Sequence, residues 1–156
     1  SRWDRLLIRR GLDALARAEA LPGPLGPYAV QAAIAACHAR AARAADTDWS
    51  GIAALYDILA HIAPSPVVRL NQAVAVGMAF GAAAGLEIAD RVLADGSLEG
   101  YPLLPAVRGD LLARLGRHDE ARAEFLRAAG LTRNARERAL LLARADASKG
   151  PPSEAR

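Results

Sequence analysis

Apolar side chains return at steps of three and four residues along most of this chain, the period of an α-helix that buries one stripe. Near the start, Trp3, Leu7, Ala14 and Ala18 fall at steps of four, seven and four, with Leu12 and Leu15 beside them. The break LPGPLGP ends that helix, because proline lacks an amide donor and fixes φ. An alanine-rich helix is expected from Tyr28 to about Ala45, and its lack of bulk lets neighbours approach closely. Helical patterning resumes in WSGIAALYDILAHIAP, VVRLNQAVAV, GLEIADRVL, GRHDEARAEFLRAAGL and NARERALLLARA. Asn134 stands where an N-cap is needed for the last of these.

The pattern also repeats. Gly116, Gly81 and Thr47 stand 35 and 34 residues apart, each just before a helical stretch. After Gly116, Ala121, Phe125 and Ala128 supply the small, aromatic and small positions of a tetratricopeptide second helix, and Gly109 the small residue of the first. The equivalent aromatic slot holds Tyr56, Asp90 and Phe125, so the middle unit departs from the pattern. Pro64 and Pro66 lie between units, where proline stops one helix and starts the next. The expected fold is therefore all-α, a superhelical stack of antiparallel, tetratricopeptide-like helix hairpins with about eight helices. Residues 1–148 form a single domain in this reading. It comprises N-terminal helices over 1–32, three repeat units over 33–132, a solvating cap helix over 133–148 and a disordered tail over 149–156. A hairpin cannot bury its stripe alone, so stacked hairpins share a core and present a concave groove.

Composition agrees with helices: Ala and Leu dominate and aromatic residues are 4% of the 156. A chain this long buries roughly 70% of its unfolded surface without staples. Twenty basic and seventeen acidic side chains leave a net charge of +3, too small to identify a partner. Lys149 is the single lysine among the cations, a bias that a GC-rich coding sequence produces without selection for phosphate binding. Direct DNA contact is a minor alternative. The lone Cys37 forms no internal disulfide and fits a reducing cytoplasm. No stretch reaches the roughly 18 uninterrupted apolar residues of a membrane span, and SRWDRLLIRR is not a signal peptide. A start without Met is what is expected of a segment of something longer.

The repeat register lists the groove-lining positions. The first unit offers Ile34, Cys37, His38, Ala41 and Ala45; the second Val68, Asn71, Gln72, Ala75 and Ala79; the third Leu103, Ala106, Val107, Asp110 and Arg114. Gripping a peptide carboxylate needs convergent cations and amides, and Asn71 and Gln72 alone resemble such a set. A mostly apolar groove dotted with His38, Asn71 and Asp110 suits a helix or a folded surface better than a charged tail. Two roles fit Asn71: a bond to a neighbouring helix end that locks the stack, or a bond to partner backbone.

Catalytic machinery is not expected. His38, His61 and His118 lie in separate units, so no metal is assigned. Cys37 and His38, adjacent on a helix, point about 100° apart. Asp57 and His61 share a face at i, i+4 with Ser65 nearby, which sketches a hydrolase arrangement but also reads as a surface ion pair. Gly81, Gly85 and Gly96 are placed at helix breaks, and no phosphate loop, dinucleotide fingerprint or nucleophile elbow occurs. Arg5, Arg9, Arg10 and Arg17 spread around their helix and form no recognition stripe.

Four blocks in order, GPYAVQAAIAACHA, DTDWSGIAALYDIL, PSPVVRLNQAVAV and YPLLPAVRGDLLARLGR, carry a further likeness. The series resembles the C-terminal extension of extracytoplasmic function (ECF) RNA polymerase sigma factors, in the bacterial group whose extension carries tetratricopeptide-like repeats. The likeness runs from Trp3 to about Ala145. It implies a cytoplasmic transcription factor whose upstream part holds two sigma domains that bind core polymerase and read the promoter. It further implies that the extension sets sigma activity in place of a separate anti-sigma partner, without a cofactor. Promoter DNA is then met through the upstream domains alone. Family-typical positions are Tyr28, Gln31, Trp49, Tyr56, Asp57, Asn71, Arg108 and Asp110. The chain departs from the pattern in two places: Arg9 and Arg10 stand where an acidic residue is expected just before Gly11, and Gln72 stands where an Arg often follows the Asn.

The expected function is an intramolecular regulatory and protein-interaction module that contacts the sigma domains or the polymerase core. Binding candidates are Tyr28, Gln31, His38, Tyr56, Asp57, Asn71, Gln72, Arg108 and Asp110. A small-molecule sensor with a pocket near Tyr28, His38 and Asn71 is the alternative, and an enzyme built on Asp57 and His61 ranks behind it.

Overall fold

In the computed structural model, the described residues are 26–40 and 47–149. The helix expected around residues 3–18, the end of the alanine-rich helix at 41–46 and the tail from 150 lie outside them. Seven α-helices follow in order: α1 (Pro27–Arg40), α2 (Trp49–Ile62), α3 (Pro66–Phe80), α4 (Ala82–Asp95), α5 (Leu103–Arg114), α6 (His118–Leu131) and α7 (Ala135–Ala147). Among the described residues there is no strand.

Local chemistry sets the helix ends. The Asp48 carboxylate accepts from the Gly51 amide at 3.1 Å and the Ser50 hydroxyl at 3.1 Å, satisfying an otherwise orphaned donor of α2. Pro66 occupies the first turn of α3, where its missing N–H costs nothing. Asn134 Oδ1 accepts from the Arg136 and Glu137 amides at 2.9 and 3.1 Å and so caps α7. The α3–α4 and α5–α6 turns pass through Gly81 (φ 103°) and Gly116 (φ 77°), backbone that a side chain would strain. Both turns lie where the repeat period put them.

Helices adjacent in sequence pack together: α1 on α2, α2 on α3, α5 on α6, and α6 on α7. The chain divides into two compact units, Ser1–Ile88 and Ala89–Arg156. In the first, Val30 and Ile34 of α1 are buried. So are Ile52, Leu55 and Leu59 of α2, and Leu70, Ala73 and Val76 of α3. The second buries Leu104, Leu111 and Leu112 of α5 with Ala121, Phe125 and Ala128 of α6. Phe125 is 1% exposed, and burying such a side chain contributes about 1.5–3 kcal/mol. It lies against Gly109, where a Cβ would stand 2.8 Å from the ring, which is why the first helix of this unit keeps a glycine there.

Three expectations change. Gly85 is not at a helix break: it lies inside α4, where a Cβ would fall 2.6 Å from the Ala73 carbonyl oxygen, so the two backbones nearly touch. The boundary expected between residues 32 and 33 cuts through α1, because the alanine run from Pro27 to Arg40 is one uninterrupted helix. The helix expected over 133–148 is present, but its outer surface is partly apolar, with Leu140 61% exposed.

Candidate functional site

Helix α3 has two apolar faces. Leu70, Ala73, Val76 and Gly77 are buried, and Ala75 with them. On the other side Val67, Asn71, Val74 and Met78 fall at steps of four, three and four, one helical face. Val74 and Met78 are 38% and 48% exposed, while Val67 and Asn71 are half-buried. None of the four carries a charge. The half-buried Asn71 side chain makes no hydrogen bond to another described residue, so of its two roles the bond to a neighbouring helix end is not formed among them and its donors and acceptor are left for a partner.

Gln72, one residue on, is turned the other way. It is 2% exposed, and therefore no groove donor. Its Nε2 donates to Asp57 Oδ1 at 3.1 Å, and its Oε1 accepts from Arg69 Nη1 at 2.9 Å. Arg69 Nη1 also donates to Asp57 Oδ1 at 3.3 Å, so a three-residue knot ties α3 to α2. The ion pair itself is too exposed to contribute much. The buried amide would be costly if left unpaired, about 1–3 kcal/mol. His61 Nδ1 donates to the Asp57 carbonyl at 2.7 Å and lies 3.8 Å from Oδ2. Ser65 stands at the N-cap of α3. The Asp57 carboxylate is thus committed to Arg69 and Gln72, with His61 at the margin.

The α1 candidates project from that helix. Tyr28 is 89% exposed, and Gln31 and His38 are exposed as well. The His38 ring meets Trp49 edge-on, centroids 5.5 Å apart, so this imidazole packs on the start of α2. Neither Tyr28 nor His38 has a hydrogen bond or ring contact to Asn71 among the described residues. Tyr56 is half-buried, and burial pushes its phenol above the usual range.

In the second unit Arg108 is largely buried and sits between two carboxylates. Its Nε donates to Asp90 Oδ1 at 3.0 Å, and its Nη1 lies 2.9 Å from Glu124 Oε2, a close charge contact outside hydrogen-bond alignment. Arg127 approaches Glu124 Oε1 at 3.5 Å. Asp110 Oδ1 accepts from Arg144 Nη2 at 2.6 Å, and that guanidinium lies 4.6 Å over the Phe125 ring. Arg108 and Asp110, offered by the sequence as binding positions, are held by these internal partners.

Sequence reasoning missed Arg69, Glu124 and Arg144. Asp110 and Arg144 are 34 residues apart, one repeat, so carrying the register into the last helix would have found that pair. Asp90, which replaces the aromatic of the middle unit, serves as a counter-ion for Arg108. Its slot is exposed, and α4 fills its buried side with Leu86, Ile88, Ala89 and Val92.

Among the described residues, no group of three or more His, Cys, Asp or Glu is placed to hold a metal ion, and no helix is long and apolar enough to cross a membrane. No family model matches the chain. No solved structure matches it. An uncharacterized protein of Rhizobium meliloti (strain 1021) is 42% identical over 151 residues, 97% of this chain and 35% of the relative. The chain thus spans about a third of the length of the curated relative it matches.

Proposed function

We propose that this chain is the C-terminal regulatory module of an ECF sigma factor, acting in the bacterial cytoplasm by docking on the sigma domains of its own polypeptide or on core polymerase. The observation that carries the reading is the uncharged outer face of α3, with an unused Asn71 amide among Val67, Val74 and Met78. Such a face suits an apolar helix or folded surface that offers one amide-bonding group. Support for the sigma context comes from the four ordered sequence blocks. The Rhizobium relative, about two thirds of which lies outside the match, is long enough for two further domains.

A four-residue patch is far below the roughly 1,000 Å² that an independent interface needs. Within one polypeptide the requirement is smaller, because a flexible tether supplies an effective concentration of about millimolar order. The size of the patch therefore favours an intramolecular partner. With no charge on the face, the contact depends only modestly on salt.

The test is transcription from a cognate promoter by core polymerase with the full-length polypeptide, comparing the parent with Val74→Asp and Met78→Asp. Both positions are exposed, so the fold should survive. Losing about 1 kcal/mol of docking changes activity roughly fivefold, and the sign tells whether the module restrains or supports the sigma domains. Folded variants with parental activity would rule the proposal out.

A further inference from the structure

We infer that α7 is a releasable strap, held on α5 and α6 by polar latches and able to lift without unfolding the helices beneath it. Its seat differs in kind from theirs. Helix α5 buries Leu104, Pro105, Val107, Gly109, Leu111 and Leu112, and α6 buries Ala121, Glu124, Phe125, Ala128 and Ala129. Helix α7 buries Ala145 alone, with Ser148 just beyond its end.

Leu141 is half-buried, and polar contacts complete the seat. Arg144 reaches Asp110 at 2.6 Å and covers the Phe125 ring. Arg138 donates to the Thr132 carbonyl at 2.8 Å and to the Ala129 carbonyl at 3.3 Å. Thr132 Oγ1 donates to Glu137 at 2.9 Å. Both members of the Arg144–Asp110 pair are close to half exposed, so water and salt compete for it. An element that buries few apolar side chains and is held in part by an exposed ion pair opens below the global unfolding free energy. Lifting α7 uncovers the Asp110 carboxylate and one face of Phe125, an acid–aromatic seat that in the closed state holds a guanidinium. The device is independent of the sigma-factor reading, since it depends on contacts within the second unit alone.

Native-state hydrogen exchange of the full chain, read peptide by peptide at low and high sodium chloride, tests the strap. Amides of α7 should exchange about tenfold or more faster than those of α6, as expected of sub-global opening. High salt and Arg144→Gln should each speed α7 exchange by about threefold, the scale of a half-exposed ion pair, and the variant should leave α2 and α3 unchanged. Arg144→Lys keeps the charge and should restore part of the protection. The strap is refuted if α7 shares the protection of α6 at every salt concentration, or if Arg144→Gln speeds α5, α6 and α7 by one common factor. The salt series on the unmodified chain decides the matter even if the variant folds poorly.

Discussion

Replacing Gly85 with alanine sets two effects of known sign against each other. In an exposed helix interior, Gly→Ala gains about 1 kcal/mol of helix propensity. At Gly85 the new Cβ would lie 2.6 Å from the Ala73 carbonyl oxygen, 2.9 Å from Gly77 Cα and 3.0 Å from Gly77 N, against an ordinary contact of 3.4–4 Å. All three atoms are backbone, so no side chain can swing aside and α3 and α4 must separate by roughly 0.8 Å. A gap of about 0.5–1 Å forfeits a quarter to a half of the dispersion well along the contact. Overpacking of this kind costs about 1–3 kcal/mol, and with no flexible neighbour the upper half of that range applies. After the propensity gain, the net loss is about 1–2 kcal/mol, a fall in Tm of roughly 2–8 °C for a chain this size. Gly130→Ala is the control: it too is helical, nothing lies within 4 Å of its Cβ, and the change should stabilise by about 0.5 kcal/mol. Urea titrations followed by circular dichroism give both values. If Gly85→Ala proves as stable as the parent, the close approach of α3 and α4 is wrong, and with it the hairpin that presents the outer face.

Three further outcomes follow from the geometry. Arg108→Met leaves the buried Glu124 with the more exposed Arg127 as its remaining cation and should cost about 2 kcal/mol, short of a fully orphaned buried charge, whereas Arg108→Met with Glu124→Leu should cost clearly less; additive losses in a urea double-mutant cycle would contradict the pairing. Asp48→Ala removes the α2 cap and should cost about 1 kcal/mol by the same titration, with no loss speaking against the capping geometry. The Tyr56 phenol titrates above its unfolded value, so its contribution to stability is complete below about pH 10 and is lost as pH rises through the folded pKa. Tyr56→Phe should flatten the alkaline limb of a stability–pH profile, and an unchanged limb would show that the phenol is not buried.

The repeat period made the fold readable, because two constraints agreed: glycines at the turns, and small and aromatic residues at fixed offsets from them. Gly81 and Gly116 could be placed from sequence since positive-φ turns leave few alternatives. Gly85 could not, because a glycine that ends a helix and one that admits a neighbouring backbone look identical until the helices are packed. The same limit separates Asn71 from Gln72. Both are amides in an apolar run, and their positions differ by about 100° around the helix. Only the placement of Asp57 and Arg69 decides which one turns inward. Arg108 and Asp110 were picked out as polar residues in a repeat groove, while their partners Glu124 and Arg144 belong to other helices that the resemblance did not single out.

The docking face is tested most directly by photo-crosslinking. A photoreactive amino acid at Val74 of the full-length polypeptide should capture peptides from the sigma domains or core polymerase, while the same group at the exposed Leu126 of α6 captures far less. Equal yields from the two positions, or no product from position 74, would contradict the account.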